Sequence, residues 1–295
     1  MPVQPRHIAQ YRSEGCTRVE GAFSAAWVER LQAAVARLRA VFEAGGVPAP
    51  VGSIGPRNPP SCHRTGTGGL QLRNCMAADQ AFLDWLCESP AAELVGELTG
   101  AEHVRFWMDA TFIKEGADAE TATPWHNDVC TFPFTGEQQP SLWVALTDVD
   151  EDNAPLLTLA GSNRDAWRYH SPLSRQDVTL PGYRPWSELL ARVAAPDADI
   201  RVWPARAGDA LLIHPRTIHA SRPQAPGRRG ARIAFTTRWL GSDVRWAPDA
   251  LSVTVRGLSD HPAMVQGAPP PDSLFPILWR RPGPGPAGAA RPGAP

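Results

Sequence analysis

The sequence predicts an α+β, β-rich fold in which helices precede a run of short strands. Apolar residues recur at helical spacing in the first hundred residues, and short β-branched and aromatic runs dominate after them. The 31 prolines and 25 glycines among 295 residues require many turns. Helices first and strands afterwards describe one domain whose strands pack as two sheets or close into a barrel.

Residues 6–15 read as a short helix ending at Gly15, and Cys16 to Glu20 as a strand. Ser24 suits an N-cap, after which Trp27, Leu31, Val35, Leu38 and Phe42 form one apolar stripe that ends at Gly45 and Gly46. Segment 46–69 lacks periodicity and reads as a long irregular, lid-like loop, in which Cys62 and His63 are either surface side chains or substrate-facing ones. A helical region from Asp79 to Leu98 is broken at Pro90 and closed by Gly100. Strands are then expected at His103 to Lys114, Leu142 to Thr147, Pro155 to Leu159, Asp199 to Trp203, Asp209 to His214 and Arg232 to Leu240. Asp148, Asp150, Glu151 and Asp152 read as a solvated turn, and residues 164–199 as an insertion carrying one short helix near Ser187 to Val193. Residues 281–295 are only Pro, Gly, Ala and Arg and are expected to be disordered, which leaves 1–280 as a single domain.

Composition excludes several classes. Lys plus Arg number 29 and Asp plus Glu 30, and no basic block interleaves with aromatics, so no nucleic-acid partner is expected. Five scattered cysteines without a Cys-x-x-Cys pair argue against a disulfide scaffold or structural zinc and fit a reducing cytoplasm. No apolar run is long enough for a membrane span. A cytoplasmic monomer or homodimer acting on a small molecule is the expectation.

The chemistry concentrates at Trp125-His126-Asn127-Asp128. Residues at i and i+2 of a strand share a face, so His126 and Asp128 can present a nitrogen and an oxygen to one ion. A lone His-x-Asp arises readily by chance and more often marks a hydrogen-bonded turn. The strand at 209–214, followed by a bend at Pro215, can return a second histidine, either His214 or His219. Two histidines and one carboxylate form the facial triad suited to non-haem Fe(II) and oxygen chemistry.

From about Tyr11 to Trp279 the chain resembles the phytanoyl-CoA dioxygenase family of Fe(II)/2-oxoglutarate oxygenases. The landmarks are Phe112-Ile113-Lys114, Pro124 to Asp128, Trp143, Asn153-Ala154-Pro155-Leu156, Gly161-Ser162-Asn163, Gly208-Asp209, Ile218-His219-Ala220-Ser221, Arg232 and Phe275 to Trp279. The resemblance implies a double-stranded β-helix, a jelly-roll or cupin-like core, with N-terminal helices packed on one sheet. It assigns iron to His126, Asp128 and His219, and leaves His214 as a buried imidazole supporting the ligands. It places Arg232 on the 2-oxoglutarate carboxylate and Lys114, Trp143 and Ser221 around it, although Trp143 suits ordinary core packing equally well. The family's usual Asn-Gly-Pro-Leu and Gly-Ser-His read here as Asn153-Ala154-Pro155-Leu156 and Gly161-Ser162-Asn163.

The implied cofactors are Fe(II), 2-oxoglutarate as co-substrate, and O2, with succinate and CO2 as co-products. Hydroxylation of an unactivated C–H bond of a small metabolite is the primary expectation, and desaturation or cyclisation on the same site the alternative. Asp128 disfavours halogenation, because halogenating relatives carry a small residue there. Rival classes are a divalent-metal isomerase or hydrolase, in which Arg232 would have no dedicated role, and a non-catalytic binding module. Trp107, Phe132 and Phe134 are candidates for an apolar substrate wall.

Overall fold

In the computed structural model, which describes residues 3–52, 54, 58–65, 68–170, 172, 180–253, 255 and 257–283, four α-helices lie in the first hundred residues. α1 (Pro5–Glu14) starts on a proline, where no N–H is required, and ends at Gly15 with φ of 82°. β1 (Cys16–Val19) follows, and α2 (Ala25–Glu43) begins where the Ser24 hydroxyl accepts the Trp27 N–H at 3.4 Å. Its buried stripe is Val28, Leu31, Ala34, Val35 and Leu38, with Trp27 and Phe42 packed at the margin. α3 (Gln80–Glu88) is capped by the Asp79 carboxylate, and Pro90 separates it from α4 (Ala91–Thr99), which stops at Gly100 with φ of 74°.

One expectation needs correction. Segment 46–69 is not wholly irregular, because β2 (Ser61–Thr65) pairs antiparallel with β3 (Gly69–Arg73). Ser-Cys-His-Arg-Thr has no apolar alternation, so its pairing is set by β3, which is itself registered on β4 (His103–Lys114). Residues 53, 55–57, 66 and 67 of that segment lie outside the described residues.

The remaining strands are β5 (Thr123–His126), β6 (Phe134–Thr135), β7 (Ser141–Ala145), β8 (Leu156–Leu159), β9 (Arg168–Tyr169) and β10 (Tyr183–Arg184). After α5 (Trp186–Val193) come β11 (Ile200–Trp203), β12 (Ala210–Ile213), β13 (His219–Ser221), β14 (Arg232–Leu240), β15 (Arg245–Trp246) and β16 (Ile277–Arg280). Within the 164–199 insertion, residues 171 and 173–179 lie outside the described residues. The disorder expected of 281–295 falls largely on 284–295, also outside them, while Arg281 is bonded to the carbonyls of Ala101 and Glu102. No helix among the described residues is long and apolar enough to cross a membrane.

Two antiparallel sheets make the core. The larger runs β1-β12-β7-β14-β4-β3-β2, with β16 also on β4, and the smaller runs β11-β8-β13-β5. Alternation divides the larger sheet cleanly. Leu72, Ile113, Leu142, Val144, Leu212 and Phe235 point outward and pack with α1–α4 in the main core. The inner face is apolar at one end only, where Cys16, Leu211, Ile213 and Trp143 meet Leu156 and Trp203 of the smaller sheet. Beyond Trp143 that face carries the side chains of Arg232, Lys114 and Arg238, so the space between the sheets is polar there.

Gly15 ties α1 to the turn before β13. Its carbonyl accepts the His214 N–H and the Thr217 hydroxyl, both at 2.8 Å, and an added Cβ would sit 2.2 Å from Thr217 Oγ1. Positive φ and a steric clash act together, so Gly15→Ala is expected to cost about 2–4 kcal/mol in denaturant unfolding. A change within about 0.5 kcal/mol would show that the turn is not anchored there.

Candidate metal centre

His126 ends β5, and His219 opens β13 directly opposite it in the antiparallel register. Their rings lie 4.2 Å apart between centroids, with the planes tilted by 47°. Asn127 keeps an extended backbone (φ −118°, ψ 144°), so Asp128, the first residue of a 3₁₀ turn, projects to the same side as His126. One ligand atom from each of His126, Asp128 and His219 lies within 4.8 Å of the others. The expected same-face relation therefore holds, although a strand end and a turn produce it rather than one continuous strand.

Hydrogen bonds set the donor atoms. Nδ1 of His126 lies 2.8 Å from the Pro124 carbonyl, and Nδ1 of His219 lies 2.9 Å from the Thr217 carbonyl. A carbonyl only accepts, so both Nδ1 atoms carry hydrogen and both Nε2 lone pairs are free for a metal. Burial, then the neighbouring His126, lowers the His219 pKa to about 4, which keeps its imidazole neutral. Burial of Asp128 opposes ionisation, but Arg238 and the two histidines outweigh it and hold the carboxyl well below the usual range. Ser141 donates to Asp128 Oδ2 at 2.6 Å, and Arg238 Nη2 stands 3.4 Å from Oδ1. The neutral His219 imidazole, the His126 Nε2 and one ionised carboxylate form a donor set that fits Fe(II).

A second feature lies on the inner face of the larger sheet. Arg232 and Lys114 are direct partners in the β14–β4 ladder, 2% and 4% exposed. Arg232 Nε donates to the Ala154 carbonyl at 3.1 Å and its guanidinium lies over Trp143, but Nη1 has no partner. Lys114 Nζ donates to Ser221 Oγ at 2.5 Å and Thr123 Oγ1 at 3.0 Å. Burial lowers the Arg232 pKa to about 10, and burial with the Arg232 charge lowers that of Lys114. Two adjacent buried cations without a carboxylate partner among the described residues are costly unless an anion completes them. A dicarboxylate co-substrate meets that need. Arg232, Lys114, Trp143 and Ser221, which the resemblance groups together, are neighbours in the structure.

The chain matches the Phytanoyl-CoA dioxygenase (PhyH) family over residues 11–231. It belongs to the phytanoyl-CoA dioxygenase family. It is accordingly a 2-oxoglutarate-dependent non-haem iron dioxygenase, with Fe(II) as cofactor. No curated protein matches the chain by sequence alone. Solved structures similar to it include the α-ketoglutarate-dependent epimerase SnoN from nogalamycin biosynthesis, at 21% identity and TM-score 0.67, covering 95% of this chain and 98% of that one. The carbocyclase SnoK of the same biosynthesis has 20% identity, TM-score 0.68 and coverage of 93% and 96%. EctD from S. alaskensis, with 2-oxoglutarate and 5-hydroxyectoine, has 18% identity, TM-score 0.64 and coverage of 92% and 86%. These likenesses support the antiparallel double-stranded β-helix fold.

The other residues singled out in this family member take the following places. His214 does not touch the metal ligands. Its Nδ1 accepts the Arg216 N–H at 3.2 Å, and its Nε2 lies 3.2 Å from Glu137, whose pKa that contact and Arg216 lower to about 2. The ring struts the bend before β13. Because that bend ends one strand and begins another in the opposite sheet, the five-residue spacing to His219 imposes no facing rule. Trp107, Phe132 and Phe134 pack edge to face in one apolar cluster with Trp246 and Phe275, and the Arg238 guanidinium lies over Phe132. Ser141 and Arg238 were not singled out in the sequence. The signal was available: Arg238 shares alternation, hence a face, with Arg232.

Removing the Ser141 hydroxyl leaves Asp128 without its shortest neutral donor. Ser141→Ala is expected to weaken Mn(II) binding about tenfold, measured by calorimetry. Unchanged affinity would show that the hydroxyl does not orient the ligand.

Proposed function

We propose that the protein hydroxylates an unactivated C–H bond of a small organic metabolite, in a specialised biosynthetic route. The observation that carries this is the buried Arg232–Lys114 cation pair beside a triad that retains Asp128. A hydrolase or isomerase built on the same metal would have no use for that pair. Fe(II) supplies the redox chemistry by which substrate, 2-oxoglutarate and O2 become hydroxylated product, succinate and CO2.

The chain's own residues prepare that chemistry. Pro124 and Thr217 carbonyls fix the imidazoles, and Ser141 and Arg238 keep Asp128 ionised and oriented. Arg232 offers a planar fork to the distal carboxylate of the co-substrate, Lys114 and Ser221 add a second contact, and Trp143 covers the guanidinium and excludes water. Phe132 joins the aromatic cluster to the metal side of the pocket, which supports an apolar wall for the substrate. Ring closure is the second reading, supported by the full-length likeness in shape to the carbocyclase SnoK. Both begin with the same C–H bond, and product analysis separates them.

Arg232→Ala is expected to weaken 2-oxoglutarate binding at least about a hundredfold while metal binding persists, because a buried charge-assisted pair is lost. An unchanged 2-oxoglutarate titration would assign the carboxylate to another arginine. In the wild type, purified protein with Fe(II), ascorbate and 2-oxoglutarate should yield succinate and CO2, and Asp128→Ala should not. Succinate formation that survives Asp128→Ala would contradict the proposal.

A further inference from the structure

The polar half of the pocket continues past the smaller sheet. β5 is the edge of that sheet and reaches over β4, as the Lys114–Thr123 bond shows. β3 and β2 lie beyond it and extend the inner face as a shelf. Residues paired directly across an antiparallel ladder share a face, so Arg73, opposite Ala110, lies in the row of Thr236 and Trp143. Gln71 and Phe112 occupy the next row, and Met108 pairs with Arg238. Met108, Phe112 and Gln71 are half-buried, and Arg73 is exposed.

The charges on this shelf are unbalanced. Arg73 donates twice to Gln71 Oε1, at 2.8 and 3.0 Å, and no carboxylate pairs with it among the described residues. Among the described residues the Arg238 guanidinium lies over Phe132 and meets one carboxylate, Asp128 at 3.4 Å, and its buried Nε has no hydrogen-bond partner. Partial burial and the neighbouring charge of Arg238 both lower the Arg73 pKa, so the two cations sense each other. Asp128 is the one carboxylate that pairs with Arg238 among the described residues, and the triad shares that carboxylate.

We infer that Arg73 and Arg238 form an oxyanion subsite for the primary substrate, which therefore carries a carboxylate or phosphate group beside an apolar body resting on Met108 and Phe112. This rests on the oxygenase reading and sharpens its substrate class. Gln71, which accepts from Arg73, orients the guanidinium toward the shelf.

The test uses the full chain loaded with Mn(II) and saturating 2-oxoglutarate, so that the Arg232–Lys114 site is filled. Calorimetry then compares cyclohexanecarboxylate, cyclohexyl phosphate and the uncharged cyclohexanecarboxamide. At least one anion should bind about tenfold or more tightly than the amide, and the tighter of the two identifies the oxyanion class. Arg73→Gln and Arg238→Gln should each reduce that preference, whereas Arg18→Gln, on a distant edge strand, should leave it intact. Equal binding of anions and amide, or a preference that survives the Arg73→Gln/Arg238→Gln double variant, overturns the subsite. So does a loss of 2-oxoglutarate affinity in Arg238→Gln with the anion preference unchanged, which would assign Arg238 to the co-substrate. If 2-oxoglutarate binds the wild type and the probes show no preference, the subsite alone fails. If 2-oxoglutarate does not bind, the oxygenase reading falls with it.

Discussion

The pairing of His219 with His126 across β13 and β5 is the contact on which the centre depends, because it joins ligands from distant parts of the chain at one register position. A one-residue slip would turn His219 to the other face of its strand. Several features guard that register. β13 is held on its other edge by β8, where His219 faces Thr158, and Ile218 N–H donates to Ser162 Oγ at 2.9 Å. Gly15 and His214 fix the bend that feeds the strand.

The opposing wall is organised by β14. Arg232, Ala234, Thr236 and Arg238 alternate onto the inner face, while Ile233, Phe235 and Thr237 face the helices or the sheet margin. One strand thus places a cation beside Lys114 and another beside Asp128, with small residues between them. The apolar residues at the β1–β12 end close the sandwich with a packed core, and the buried charged residues lie at the other end. Buried cations without a carboxylate partner among the described residues are costly unless an anion completes them.

Much of this was legible in the sequence. Helix limits followed from Ser24, Pro90, Gly15 and Gly100, because caps and breakers act locally. The β4 and β14 strands followed from dense apolar and aromatic runs. The choice of His219 over His214 and of Arg232 over its neighbours came from family resemblance, since spacing alone pointed ambiguously. What escaped notice was set by tertiary pairing. β2 has no apolar pattern and gains its place from β3, and Ser141 and Arg238 matter only because β7 and β14 lie side by side facing Asp128. Ala154 is similar: a non-glycine residue at φ 50° in a turn whose carbonyl holds Arg232, a role no local reading assigns.

We propose that His126, Asp128 and His219 hold the metal while Arg232 holds the distal carboxylate of 2-oxoglutarate. A crystal structure of the protein with Mn(II) and 2-oxoglutarate is the decisive experiment. The expected result is metal density bonded to Nε2 of both histidines and to an Asp128 oxygen, with the distal carboxylate on Arg232. Metal bonded to His214, or a co-substrate carboxylate bound away from Arg232, would contradict it.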